Sequence, residues 1–152
     1  MSKKSLDLLG LMRKAGAIEI GEANAGAACK DGKARLLILA SDASDNACRR
    51  AEQFVSGRRT LLIKVPFSKE EISDKTGKPG CSMAAITDLG FANAFAKGLS
   101  ETEPGLYAEA AESLGARYGK ALRRKKSTAV EKKTSREKGG IIYGNGRKIQ
   151  NT

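Results

Sequence analysis

The run "ARLLILA", residues 34–40, constrains this chain more than any other stretch. Leu36, Leu37, Ile38 and Leu39 follow one another with no polar residue between them. A strand alternates its side chains between two faces, so a strand built from this run has no face to give to water. Both sides must be covered, and in a chain of this kind the covers are helices.

The flanking sequence supplies them. "SLDLLGLMRKAGA" places Leu8, Leu11, Met12 and Ala15 at helical spacing, which predicts an amphipathic first helix ending near Gly16. "AIEI" reads as a short strand broken by Gly21, and "EANAGAACKD" as a second helix closed by Gly32. After the apolar run, Ser41, Asp42 or Ser44 can cap a third helix whose inward stripe is Ala47, Ala51, Phe54 and Val55. "TLLIKV" is a further strand, and Ser68 with Glu71 spells a capping box for "KEEISDKTG". "GKPG" is a turn, "CSMAAIT" the last strand, and Asp88 caps "LGFANAFAKGL", in which Phe91, Phe95 and Leu99 line one side. Strand and helix alternate throughout. The predicted fold is therefore an α/β three-layer α/β/α sandwich with a short four-stranded sheet.

Past residue 100 the pattern changes. Residues 1–100 form the expected domain, and residues 101–126 a C-terminal helix on which Tyr107, Ala111, Leu114 and Tyr118 share a face. Residues 127–152 read as a basic tail, disordered when free, with one apolar patch, "IIYGNG". Charge follows the same division. Met1 to Ala116 holds 16 Lys and Arg against 15 Asp and Glu, a net of +1, whereas the last 36 residues hold 12 against 2, a net of +10. A cationic extension on a near-neutral domain points to a polyanion, nucleic acid first. A tail that only aids solubility is the plainer reading.

Several chemistries are excluded. The sequence has no histidine, so no Ser-His or Cys-His pair exists. No phosphate loop and no dinucleotide-binding glycine pattern appears. Asp42, Asp45, Glu71 and Asp88 sit where helix caps belong, which accounts for them without catalysis. Cys29, Cys48 and Cys81 are far apart, with no C-x-x-C, which argues against a zinc site and for a reducing compartment. No apolar run is long enough to span a bilayer, and no signal peptide opens the chain. The expectation is a cytoplasmic protein that is not an enzyme and has no cofactor, metal, membrane or small-molecule substrate.

What remains is the start of the second helix. A helix start exposes unpaired N–H groups and the positive end of a dipole, which suits phosphate. Gly21 has no Cβ to hold a ligand backbone away. Glu22 and Asn24 offer an acceptor and an amide to the edges of unpaired bases, and Lys30, further along, can reach a phosphate. The alternative is that Gly21 only makes a turn and the alanines only pack the helix on the sheet.

Gly21 before helix two, the loop "LLILASDAS", and the run "VPFSKEEISDKTGKPGCSMAAITD" resemble the L-seven-Ae / L-thirty-e / S-twelve-e / Gadd-forty-five family, including bacterial ribosomal L-seven-Ae-like proteins. The resemblance covers about Leu6 to Leu99. It implies an α/β/α sandwich that binds kink-turns, sharply bent RNA helices with unpaired bases. It places RNA contacts on the turn at Gly21 and the first turns after it, here Glu22, Ala23 and Asn24, with Ala27 where strong binders carry a lysine. A second contact region falls on Lys78, Pro79, Gly80, Cys81 and Ser82, whose small side chains would lie under a flipped base, and Ser41, Asp42 and Ala43 complete the rim.

The expected function is RNA binding, with the ribosome or another structured RNA as partner. The domain would read RNA shape, and Arg123, Arg124, Lys125 and Lys126 would grip phosphates. The alternative is a protein-interaction module of the same fold that has lost specific RNA recognition, a reading that Ala23, Ala27 and "IIYGNG" favour.

Overall fold

Ten elements follow in the order α1 (Lys3–Ala15), β1 (Ile18–Ile20), α2 (Glu22–Lys30), β2 (Leu36–Leu39), α3 (Asp45–Val55), β3 (Leu61–Lys64), α4 (Lys69–Thr76), β4 (Met83–Ile86), α5 (Leu89–Thr102) and α6 (Pro104–Glu137). The structure, a computed structural model, describes the backbone of residues 3–137 and the side chains of residues 4–124. The "IIYGNG" patch and the rest of residues 138–152 lie outside the described residues.

The four strands form one mixed sheet of order β1-β4-β2-β3. β4 runs antiparallel to both β1 and β2, with Ile86 opposite Ile18 on one side and Leu36 on the other, while β2 and β3 are parallel. All four residues of β2 are buried, as the unbroken apolar run demands. Its side chains divide by the two-residue period: Leu36 and Ile38 enter one core, Leu37 and Leu39 the other. β4 does the same, with Ala84 and Ile86 on one side and Met83 and Ala85 on the other. The first core is closed by α1, α4, α5 and the start of α6, the second by α2 and α3. The chain is a three-layer α/β/α sandwich.

The caps fall largely where the sequence puts them. Ser68 and Glu71 form the full capping box, and Asp88 Oδ1 accepts the Phe91 N–H at 2.9 Å. Of the three candidates for α3, Ser44 is the cap, accepting the Ala47 N–H at 3.1 Å. The inward stripe of α1 needs correction. Leu6, Leu9 and Met12 are buried together with Ser5, whereas Leu11 is 53% exposed and Ala15 also faces out. Leucines at 6, 8, 9 and 11 permit two adjacent stripes. The one chosen lets the Ser5 hydroxyl donate to the Phe95 carbonyl at 2.9 Å, beside the bare Cα of Gly98.

One compact unit runs from Met1 to Leu114 and a second begins at Gly115. The first passes residue 100 because Tyr107 and Leu114 are members of the core. In α6, helical backbone continues beyond Lys126 to Glu137.

Candidate functional site

Because β4 is antiparallel to β1 and β2, and β2 is parallel to β3, the strands β1, β2 and β3 all point the same way. Their carboxyl ends therefore meet the start of β4. In open α/β sheets this is the end at which ligands are bound. Three helices, α2, α3 and α4, begin there, so their N-terminal N–H groups face one rim.

Hydrogen bonds tie the rim together. The Gly21 N–H donates to the Met83 carbonyl at 3.0 Å and joins the start of α2 to the start of β4. The Ala40 N–H donates to the Ser82 carbonyl at 2.8 Å, and the Ser41 N–H to the Phe67 carbonyl at 2.8 Å. Asp42 leaves α3 and caps the next helix, its Oδ1 accepting the Lys69 N–H at 2.8 Å. Three segments that are distant in the chain, around Gly21, Ser41–Asp42 and Lys78–Ser82, thus share one edge.

The three helix starts differ in one respect. Side chains cap α3 and α4, but Gly21 before α2 has none to give and makes no side-chain cap bond. Its φ of 96° is one that L side chains rarely adopt, and a Cβ placed there would meet nothing within 4 Å. The first-turn N–H groups of α2 have no partner within the helix, and they open onto free space.

The polar side chains next to Gly21 are already engaged. Arg50 Nη1 donates to both Glu22 oxygens, at 2.9 and 2.8 Å, and the Asn24 amide donates to the Ile20 carbonyl at 3.0 Å. Arg50 lies 28 positions from Glu22, and no local pattern could have named it. Ala23 and Ala27 are exposed on α2. Lys30 is at the other end of that helix, roughly 12 Å of helix rise from Glu22. It is not part of the rim.

On the opposite loop, Lys78, Pro79 and Gly80 are exposed and Ser82 is half-buried. Cys81 is turned inward at 5% exposure, its Sγ 3.9 Å from the Ser73 hydroxyl. The loop presents backbone and Lys78, with the thiol beneath. Arg123 and Arg124 are exposed on the second unit, and Lys125 and Lys126 continue its helical backbone, their side chains outside the described residues.

Cysteine chemistry is quiet here. Burial pushes the Cys29 thiol up, against a smaller opposing pull from Arg58, so it stays a packed thiol. Among the described residues no group of three or more His, Cys, Asp or Glu could hold a metal ion, and no helix is long and apolar enough to cross a membrane.

A four-stranded sheet between two helical layers, with three helix starts and the β4 loop on one rim, defines the class as an α/β/α sandwich with its loop surface at the carboxyl ends of three parallel strands. Comparison with known proteins narrows it. The chain is 32% identical over 90 residues to the RNA-binding protein YlxQ of Enterococcus faecium, a match spanning 59% of this chain and 85% of that protein. Its fold is similar to that of a protein of unknown function from Bacillus halodurans C, with a TM-score of 0.59 and 25% identity, covering 64% of this chain and 97% of that one. It is also similar in fold to the Giardia lamblia 15.5kD RNA binding protein, with a TM-score of 0.53 and 20% identity over 65% of this chain and 84% of that one. No family model matches. The chain belongs to the bacterial L-seven-Ae-like family that includes this YlxQ protein.

Proposed function

We propose that the protein binds structured RNA of the kink-turn type through the rim between Gly21 and Lys78–Ser82, in the cytoplasm and in association with the ribosome, without catalysing a reaction. One observation carries this reading: of three helix starts on a shared rim, only that of α2 lacks a side-chain cap, and it opens where a glycine leaves room for a phosphate. Kinship with a YlxQ protein named for RNA binding supports it. In this reading the backbone N–H groups of α2 hold a phosphate at the bend, and the Lys78–Ser82 loop lies against an unpaired base. The tail, with a net of +10 in its last 36 residues, adds phosphate contacts that carry no sequence information.

The test compares binding of a kink-turn RNA with that of an unbroken duplex of equal length, using the full chain. The kink-turn is preferred, and Gly21→Val, which cannot hold the left-handed φ without strain, removes the preference. Removing residues 127–152 flattens the salt dependence, about −0.7 in log–log slope per phosphate lost on single strands, and keeps the preference. Equal binding to both RNAs by the intact chain refutes the reading.

A second reading has its own support. Glu22 and Asn24 are occupied within the molecule, and Ala23 and Ala27 leave α2 with an apolar outer surface, which suits a protein partner. Capture of a partner protein that survives RNase treatment separates the two.

A further inference from the structure

Between α2 and α3 runs an open groove of about 440 Å³. Both helices start at the rim, so the groove opens there at Glu22 and ends at Lys30 and Arg58, both exposed. Its α2 wall is bare at Gly26 and Ala27. Phe54 forms the opposite wall, its ring tip so near α2 that a methyl group on Gly26 would lie 2.7 Å from Cζ. The ring is pinned by its tip and only half-buried, which leaves part of it facing the groove. Arg58 is held beside it, because its Nε donates to the Phe54 carbonyl at 3.0 Å. The one carboxylate in the groove, Glu22, is neutralised by Arg50.

An aromatic surface, a wall without side chains and two cations at one end suit a flat ligand that carries an anion. We propose that this groove receives a single unpaired nucleotide of the RNA held at the rim, its base against Phe54 and its phosphate between Lys30 and Arg58. The inference rests on the RNA reading above and adds to it a second, adjoining subsite that uses Phe54 and Arg58. Stacking on an aromatic ring tolerates any base, so the subsite selects for an unpaired nucleotide and not for its identity.

The test measures the affinity of the full chain for two bent RNA hairpins, identical except that one carries an extra unpaired nucleotide beside the bend. The extra nucleotide tightens binding of the natural protein about tenfold, as one base–aromatic stack does. Phe54→Leu loses that gain and keeps its affinity for the shorter RNA. Arg58→Ala, at an exposed position that the fold does not need, reduces the gain and lowers the phosphate count in the salt dependence by about one. The proposal is overturned if the extra nucleotide gives the natural protein no advantage, or if both variants retain it. Failure to bind either hairpin would instead bring down the RNA reading and this subsite together, an outcome distinct from the others because the shorter hairpin reports on the rim alone.

Discussion

The two sides of the sheet are packed by different means. Toward α1, α4, α5 and the start of α6, the core is made of large side chains, among them Leu9, Met12, Phe67, Ile72, Phe95 and Leu99. Toward α2 and α3 it is made of Ala25, Ala28, Cys29, Ala47 and Ala51 against Leu37, Leu39 and Met83. Interaxial and interlayer distances follow the size of the side chains at the contact, so the alanine side draws its helices close to the sheet. Large residues supply stability through burial. Small ones supply little burial, but they set the start of α2 directly beside the start of β4, where the rim is. One side holds the fold, and the other positions the surface.

The largest expected effect tests the first half of that contrast. Phe95 is fully buried and meets Phe67 edge-on, with ring centroids 6.5 Å apart at 70°. Phe95→Ala is expected to cost about 3–5 kcal/mol in urea denaturation, from lost transfer energy plus the cavity. Ala51→Gly, the matching deletion on the other side, is expected to cost about 1 kcal/mol, chiefly through helix propensity. Equal losses would erase the distinction.

The alanine side is instead vulnerable to added volume. Ala51 is fully buried between α3 and the sheet. Ala51→Leu is expected to destabilise by about 1–3 kcal/mol through overpacking, while Leu99→Met, a volume-conserving change opposite, costs less than about 1.5 kcal/mol. Because overpacking lifts the helix, Ala51→Leu should also broaden or shift the amide NMR signals of Gly21 and Met83, whose hydrogen bond joins helix to sheet.

Tyr107 offers a pH test on the large-residue side. It is 4% exposed, and its hydroxyl donates to the Lys64 carbonyl on the edge strand β3 at 2.8 Å. Burial, and secondarily Glu103, raises its pKa above the ordinary 10.0. The folded state therefore holds this proton more tightly than the unfolded chain. The resulting stability is fully present below pH 10 and is lost as pH rises through the folded value. Tyr107→Phe is expected to cost about 1 kcal/mol at neutral pH and to remove that part of the alkaline decline. An unchanged alkaline limb in denaturation at several pH values would show that the phenol plays no part in it.

Much of this was legible in the sequence, for identifiable reasons. Local signals gave the elements: the unbroken run at Leu36–Leu39, the Ser68–Glu71 box and the Asp88 cap each act within a few residues. The buried face of α1 was not legible, because five apolar residues from Leu6 to Met12 fit two neighbouring stripes and only the packing of Ser5 beneath Phe95 selects between them. At the rim, the family resemblance carried the pairing of Gly21 with Lys78–Ser82. The sequence pattern by itself does not fix a strand order of β1-β4-β2-β3. Asp42 capping α4 and Arg50 clasping Glu22 are contacts across 27 and 28 positions, beyond the reach of any local pattern.

The smallest effects lie on the outside of each helical layer, where each carries one surface ion pair. Arg50 joins α3 to α2 through Glu22, and Lys75 joins α4 to α1 through Asp7, both at 2.8 Å. Double-mutant cycles should place each coupling within about 0.2–1 kcal/mol, falling as salt rises. The Arg50–Glu22 coupling should be the larger, since the guanidinium meets both carboxylate oxygens and Glu22 is the less exposed acid, at 37% against 62% for Asp7. The single variants should also be unequal. Glu22 sits in the first turn of α2, where the helix dipole favours a negative charge. Arg50→Ala leaves that interaction in place, whereas Glu22→Ala removes both it and the ion pair, so Glu22→Ala should cost more. The reverse order would mean that Arg50 stabilises α3 by some contact other than Glu22, and that the alanine side is clasped from outside by more than one charge.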